Sequence, residues 1–256
     1  MDEMKKWIAE VFSRTAPEYG QKGSSFFSYF GENLVEVSNV QGKLGLDVAT
    51  GKGAVLLPLS KKIDKVIGID ISQQMLDNII AQNNAELIQM DAEHLNFEDN
   101  VFDCVFCGFG LFFFPDINRA LQEFKRVLKP GGILAISTWG KDTEIDQIQN
   151  EEIDKIARYK PLISSPLFTE DKIKSVLQDN HFTSIQIIED NYTFHYSDFE
   201  EFWNSLWLHA IRAKLEQLDA NQLKTYKERI HAQIGNHPKE TMQAFYGIAK
   251  KPSLQN

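Results

Sequence analysis

Between residues 43 and 138, short apolar runs alternate with segments of helical periodicity, and this alternation restricts the fold more than any other feature of the chain. Leu44, Leu46 and Val48 mark a first strand and Lys65 to Asp70 a second. Glu86 to Met90, Phe102 to Cys107 and Ile133 to Thr138 follow as the third, fourth and fifth. Between them, Val55, Leu56 and Leu59 stand at helical spacing. So do Met75, Leu76, Ile79 and Ile80 behind an N-capping Ser72, and Ile117, Leu121, Phe124, Val127 and Leu128. The KPGG at 129 to 132 is expected to end this last helix, glycine supplying left-handed backbone. Such alternation implies a parallel sheet covered by helices on both faces. Ligands then bind at the carboxyl ends of the strands, near the switch in strand order, so chemistry is sought just after each strand.

The remainder is patterned differently. Residues 144 to 157 and 169 to 179 read as helices, and Phe182 to Ile188 and Tyr192 to Tyr196 as extended. Ser197-Asp198-Phe199-Glu200 reads as a capping box opening a helix over 198 to 215 that carries Phe202, Trp203, Leu206 and Trp207. A helix at about 220 to 234 and a final strand from Met242 to Ala249 complete the chain. No clear linker interrupts it. The 256 residues are therefore expected to form one domain, with N-terminal helices and a lid at about 1–40 and a ligand-binding core at 43–138. Residues 139–256 supply the remaining strands and a helical cap at about 197–234.

Charge narrows the partners. The chain carries 27 basic and 36 acidic side chains, a formal charge of -9, and its lysine pairs at 5–6, 61–62 and 250–251 are isolated. A net negative surface without a basic run opposes a phosphate backbone, which disfavours nucleic acid. The N-terminus lacks the apolar core of a signal peptide, and no run of 18 apolar residues exists, so a membrane span is not expected and the cytoplasm is the expected location. Cys104 and Cys107 have C-x-x-C spacing but lie within VFDCVFCGFG, an apolar run where cysteine serves as a small hydrophobe. A redox pair would instead open a helix.

The strand ends hold the strongest functional signal. In LGLDVATGKG, residues 44 to 53, a strand reaches Asp47 and a turn of small residues, Ala49-Thr50-Gly51-Lys52-Gly53, leads into a helix. Small residues let a backbone approach a ligand closely, and helix-start N–H groups bind electronegative atoms. The second strand ends at Asp70, placed to accept from ribose hydroxyls. After the third, Asp91 can accept from an exocyclic amine, with Ala92 beside it, while Met90 and Ile71 can sandwich a flat base near Met75. The fourth ends at Gly108-Phe109-Gly110. A dinucleotide fingerprint starting at Gly51 would need glycine where Leu56 stands, and Asp47 would repel a pyrophosphate, so an NAD-type oxidoreductase is the weaker alternative. A ligand carrying an ammonium and a sulfonium suits Asp47 better.

These residues resemble the class I S-adenosylmethionine-dependent methyltransferases, especially the ubiquinone/menaquinone-type small-molecule group. The family's first motif is similar to Asp47, Ala49, Gly51 and Gly53, with alanine in place of the usual first glycine. RALQEFKRVLKPGG at 119 to 132 resembles the helix before the family's fifth strand, and Ala16-Pro17-Glu18-Tyr19 its N-terminal lid segment. The resemblance covers about residues 7 to 138 and is architectural beyond that. It implies a Rossmann-like, doubly wound α/β sheet of about seven strands, the last antiparallel, plus a helical cap. It implies S-adenosylmethionine as cofactor and S-adenosylhomocysteine as product. Asp70 would bind the ribose, Asp91 and Ala92 the adenine, Gly108 the methionine end, and Tyr19 would cover the cofactor.

Methyl transfer is an in-line displacement at an activated carbon, so the protein chiefly supplies position and a water-poor site. Where an acceptor must lose a proton, the candidates are His195 and His209, which flank the C-terminal capping region, and Arg212, three residues after His209 on the same helix face. The aromatic segments SSFFSYF at 24 to 30 and LFFF at 111 to 114 fall near the expected pocket mouth and suggest a small, largely apolar acceptor. Carbon, oxygen and nitrogen acceptors all fit these residues, and no pattern specifies an oligomeric state. A methyltransferase-like binding subunit without turnover is a further alternative.

Overall fold

The strands form a single seven-stranded sheet of order β3-β2-β1-β4-β5-β7-β6. They are β1 Leu44–Val48, β2 Lys65–Asp70, β3 Ala85–Gln89, β4 Phe102–Gly108, β5 Leu128–Trp139, β6 Thr183–His195 and β7 Lys239–Lys250. The computed structural model describes residues 3–16, 26–80, 82–156, 169–207 and 211–253. β1 pairs in parallel with β2 and β4, β2 with β3, and β4 with β5. β7 runs antiparallel to both β5 and β6. Strand order reverses between β1 and β4, which opens a crevice at their carboxyl ends. The expected α/β architecture, with an antiparallel last strand, is the one observed.

Ten helices flank the sheet among the described residues: α1 Glu3–Thr15, α2 Phe26–Val37, α3 Leu56–Ser60, α4 Gln73–Leu76, α5 Ile117–Val127, α6 Glu144–Ile156, α7 Glu170–Asp179, α8 Phe199–Leu206, α9 Arg212–Leu215 and α10 Ala220–Ile234. Side chains alternate across the strands. Leu46, Ile67, Val105 and Leu134 pack under α5 and α7 on one face, and Val66, Phe106, Ala135 and Tyr246 under α2 and α3 on the other. A third cluster joins Ile145 and Ile153 of α6 to Phe202, Leu215, Tyr226 and Ile230, which ties α8, α9 and α10 into the helical cap. Among the described residues no helix is long and apolar enough to cross a membrane.

Several local expectations are corrected. Ser72 caps α4 by accepting from Met75 N, but α4 ends at Leu76, and Ile80 stands 91% exposed. Asn78 and two β-branched isoleucines are weak helix formers, which is reason enough to stop there. The two extended segments near 182 and 196 form one strand, β6, because pairing such as Asn191↔Gln243 carries the ladder through residues that disfavour strands. α5 passes directly into extended backbone at Leu128, and the left-handed glycine, Gly131 at φ 77°, lies inside β5. The capping residue of α8 is Asp198, accepting from Glu201 N, one position later than expected. The helix expected over 198 to 215 is two helices, with 208 to 210 outside the described residues.

Cys104 and Cys107 are both buried, and they sit on opposite faces of β4, one in each core layer. Burial pushes the Cys104 thiol up to about 12 and raises that of Cys107 as well. Both act as small hydrophobes, as expected.

Phe124 and Ile80 test this packing as a pair. Phe124 is fully buried on α5, and Phe124→Ala should destabilise the protein by about 3–5 kcal/mol. Ile80→Ala should stay within about 0.5 kcal/mol. Denaturant unfolding of both variants checks the contrast, and equal losses would contradict it.

Candidate active site

The loop after β1 is held from below and from the side. Asp47 is buried; its carboxylate accepts from the Thr50 hydroxyl at 2.6 Å and from the backbone N–H of Leu56. Asp70 crosses from β2: one oxygen accepts from Gly51 N and the other from Ser72 N, each at 2.9 Å. The loop thus turns through left-handed Ala49 (φ 54°), Gly51 (φ 54°) and Gly53 (φ 85°). A non-glycine residue in that region is strained, and such residues cluster at functional sites. Ala49 is tolerated because glycine faces it: a Cβ on Gly110 would lie 2.7 Å from the Ala49 methyl. Phe109, at φ 52°, is the second strained residue, and its N–H donates to the Ser137 carbonyl at 3.1 Å. Burial raises the Asp47 carboxyl to about 7 and raises that of Asp70 too.

The ends of β2 and β3 form one rim of the cavity. Ile71, Met75, Met90, Asp91 and Ala92 all line it, as does Asp70. Here the structure adds a residue that the sequence did not point to. Lys5 of α1 reaches Asp91 at 2.8 Å and Glu93 at 2.6 Å, and both Lys5 and Glu93 are buried. Burial opposes the charge on Lys5, but the two carboxylates outweigh it and hold the ammonium above its ordinary range. Burial likewise opposes charge on Asp91, yet Lys5, the Glu93 N–H and His94 hold that carboxyl below its ordinary range. Ile8 and Phe12 of the same helix line the cavity beside Lys5. A pairing across 86 positions leaves no local signal.

The cavity has a volume of about 1260 Å³ and runs from this rim past Gly108 and Phe109 to the cap. Phe109 stacks on Trp139 with ring centroids 3.9 Å apart, and Phe27 packs edge-on to Phe109. Phe26, Phe112, Phe113 and Phe114 also line it, so the two aromatic segments do reach the pocket. Trp203 does not line it; it packs in the cap against Tyr226 and Trp207.

Thirteen cofactor-site candidates fall among the described residues, and all of them except Asp47 line this cavity. Asp47 lies behind the wall and acts through Thr50. Tyr19 and His209 lie outside the described residues. His195 is exposed at the end of β6, and Arg212 is paired with Glu216 at 2.7 Å; neither lines the cavity, nor does any other described histidine. The residues that do occupy the far wall are Asp146, Gln149 and Glu240. Their separation in sequence hid them, although i, i+3 spacing of Asp146 and Gln149 on one helix face was a readable sign.

A known domain family, described as a methyltransferase domain, matches residues 46–136. Residues 46–136 of this chain carry a methyltransferase domain. The matched span runs from β1 to β5 and contains the loop, Asp70, Asp91 and Gly108. The chain is 32% identical over 144 residues to the aklanonic acid methyltransferase DauC of Streptomyces sp. strain C5, covering 52% of this chain and 66% of that protein. It is 35% identical over 148 residues to the demethylmenaquinone methyltransferase of Lactobacillus johnsonii, covering 52% and 60%. It therefore spans less than two thirds of the length of these relatives. A crystal structure of a methyltransferase-like protein from Bacillus halodurans C-125 superposes with a TM-score of 0.60 at 22% identity, over 86% of this chain and 98% of that one, which shows the shared fold. Within the methyltransferase domain, the RALQEFKRVLKPGG segment has a structural use. Glu123 accepts from Leu95 N and pairs with Arg126, whose guanidinium also reaches Asp99 and the carbonyls of Phe97 and Leu95.

Asp47 gives the loop a pH signature. Its folded carboxyl titrates near 7, above the ordinary 3.8, so between about pH 4 and 7 the native state holds a proton that the unfolded chain has released. Stability attributable to Asp47 falls as pH rises through that window and stays low above it. Asp47→Asn removes this titration. Thermal unfolding from pH 4 to 8 should show the variant gaining on the wild type by on the order of 1.4 kcal/mol per pH unit inside the window. A difference that is constant with pH would contradict the assignment.

Proposed function

We propose that the protein transfers the methyl group of S-adenosylmethionine to a small acceptor with a largely apolar body, the whole chain working as one domain. The observation that carries this reading is the continuous cavity of about 1260 Å³, which joins the acidic rim at Asp70 and Asp91 to the aromatic wall at Phe109 and Trp139. Pockets for one small ligand run to about 300–1,000 Å³, so this cavity has room for donor and acceptor together. The relatives named as aklanonic acid and demethylmenaquinone methyltransferases support a small-molecule acceptor. Leu56, fully buried where a dinucleotide fingerprint needs glycine, weighs against the NAD alternative.

The residues present suit this cofactor. A Cβ at Gly51 would meet nothing within 4 Å, so the loop presents bare backbone to open space. The backbone N–H groups of Gly51, Ser72 and Ile71 point at the Asp70 carboxylate, and with roughly four acceptor positions it keeps one for a ribose hydroxyl. We assign the adenine to Ile71, Met75, Met90, Asp91 and Ala92, and the methionine end to Ala49, Gly108 and Phe109. Gly53 and Thr50 shape the loop, and Asp47 positions it. The bound cofactor supplies an already activated methyl group. The chain's own residues orient the acceptor on the stacked Phe109 and Trp139 rings and exclude water from it.

Asp70→Asn tests the reading. It should keep the fold and weaken S-adenosylhomocysteine binding by about 1.5–3 kcal/mol, on the order of 10- to 150-fold, in a calorimetric titration. Unchanged affinity in the folded variant would remove Asp70 from the site. A methyl-donor turnover screen over quinones, phenols, amines and acids identifies the acceptor class.

A further inference from the structure

Among the described residues, the cap end of the cavity brings together two carboxylates and a carboxamide. Asp146 and Gln149 share one face of α6, Glu240 reaches toward them from the start of β7, and all three line the cavity. The Thr143 hydroxyl stands 3.0 Å from Asp146 Oδ2 and 2.7 Å from Glu240 Oε1. The one proton of this hydroxyl serves Glu240, the shorter contact, while its lone pairs accept from Asp146 N, and Asp146 Oδ2 in turn accepts from Thr143 N, each at 3.0 Å. The Tyr196 hydroxyl is 3.5 Å from Glu240, which is long for an O–H donor. Gln149 is 4% exposed, and its carboxamide oxygen has no hydrogen-bond partner among the described residues. A buried acceptor without a donor is disfavoured, and this one lies on the same wall as two carboxylates.

The surrounding charges are of both signs. Asp142 adds a further carboxylate to the lining. Lys214 approaches from α9, where its ammonium donates to Asn150 Oδ1 at 2.8 Å, and burial lowers its pKa despite Asp154, Asp142 and Asp146. Lys141 lies exposed at the rim. Among the described residues no three His, Cys, Asp or Glu side chains are placed to hold a metal ion, so the cation that fits is an organic one. The wall leading to this pocket is apolar, with Phe109, Trp139 and Met242 lining it.

We propose that this pocket binds the protonated amine of the acceptor, which is then a small amine carrying an apolar or aromatic body. The assignment rests on the methyl-transfer reading and narrows its acceptor. An ammonium brings a positive charge to Asp146 and Glu240 and the N–H donor that the Gln149 carbonyl lacks, while its apolar body lies on the Phe109–Trp139 stack. Burial, with the charge of Asp146 adding to it, raises the Glu240 carboxyl to about 7. Glu240 therefore accepts a proton from the bound ammonium more readily than an exposed carboxylate would; the N–H bond breaks, an O–H bond forms, and the nitrogen keeps its lone pair.

Calorimetric titration of the full chain with three probes of similar shape tests this: 2-phenylethylamine, 2-phenylethanol and 3-phenylpropionate, each with and without S-adenosylhomocysteine. The amine should bind at least about tenfold tighter than the alcohol, and the carboxylate weakest. Glu240→Gln and Asp146→Asn should each reduce the amine's advantage about fivefold or more, with affinity for the alcohol and for S-adenosylhomocysteine retained. An amine that binds no tighter than the alcohol overturns the proposal, as does a preference that survives in both variants. Failure to bind S-adenosylhomocysteine would instead contradict the methyl-transfer reading. Its normal binding with no preference for the amine would leave that reading standing and sink this one.

Discussion

Asp70 joins two strand ends through backbone hydrogen bonds, and the geometry of the cavity depends on that join. Its carboxylate fixes Gly51 N in the loop after β1 and Ser72 N at the start of α4. Parallel strands share no hairpin, so their ends would otherwise be set only by the sheet ladder and packing. Asp47 does the same from beneath through Thr50. Both carboxylates are buried, and burial raises the pKa of each. The free energy of keeping charge there is offset by donors aimed at it. The strained backbone at Phe109 is held separately, by Ser137, whose oxygens accept its N–H.

Much of this was legible in the sequence because it depends on local chemistry. Strand-end aspartates and a small-residue turn occupy a few consecutive positions, and periodicity places the strands that present them. Six strand positions, the start of α8 and the whole of α10 followed from pattern alone. What was not legible depends on long-range pairing. Asn191 reads as a break between strands until β7 supplies its partners. Lys5 reads as an isolated surface charge until α1 packs against α4 and it meets Asp91 and Glu93. The histidines drew attention for their chemistry, yet His195 faces outward between the buried Phe194 and Tyr196. Glu240 and Asp146, far apart in sequence, meet only through Thr143.

The two ends of the cavity differ in how their charges are satisfied. At the β3 end, Lys5 bridges Asp91 and Glu93 and offsets one of their two charges. At the cap end, Asp146 and Glu240 share one hydroxyl, and Gln149 leaves an acceptor without a donor among the described residues. The stacked Phe109 and Trp139 rings lie between them. A donor that carries its own positive charge and an acceptor that brings N–H groups would complete such a wall from its two ends.

The most direct test of the central claim is a crystal structure of the protein with S-adenosylhomocysteine. The account places the ribose hydroxyls on Asp70, the base between Ile71 and Met90 with Asp91 at its edge, and the sulfur end toward Gly108 and Phe109. Density for the nucleoside elsewhere, or a ribose making no contact with Asp70, would contradict it.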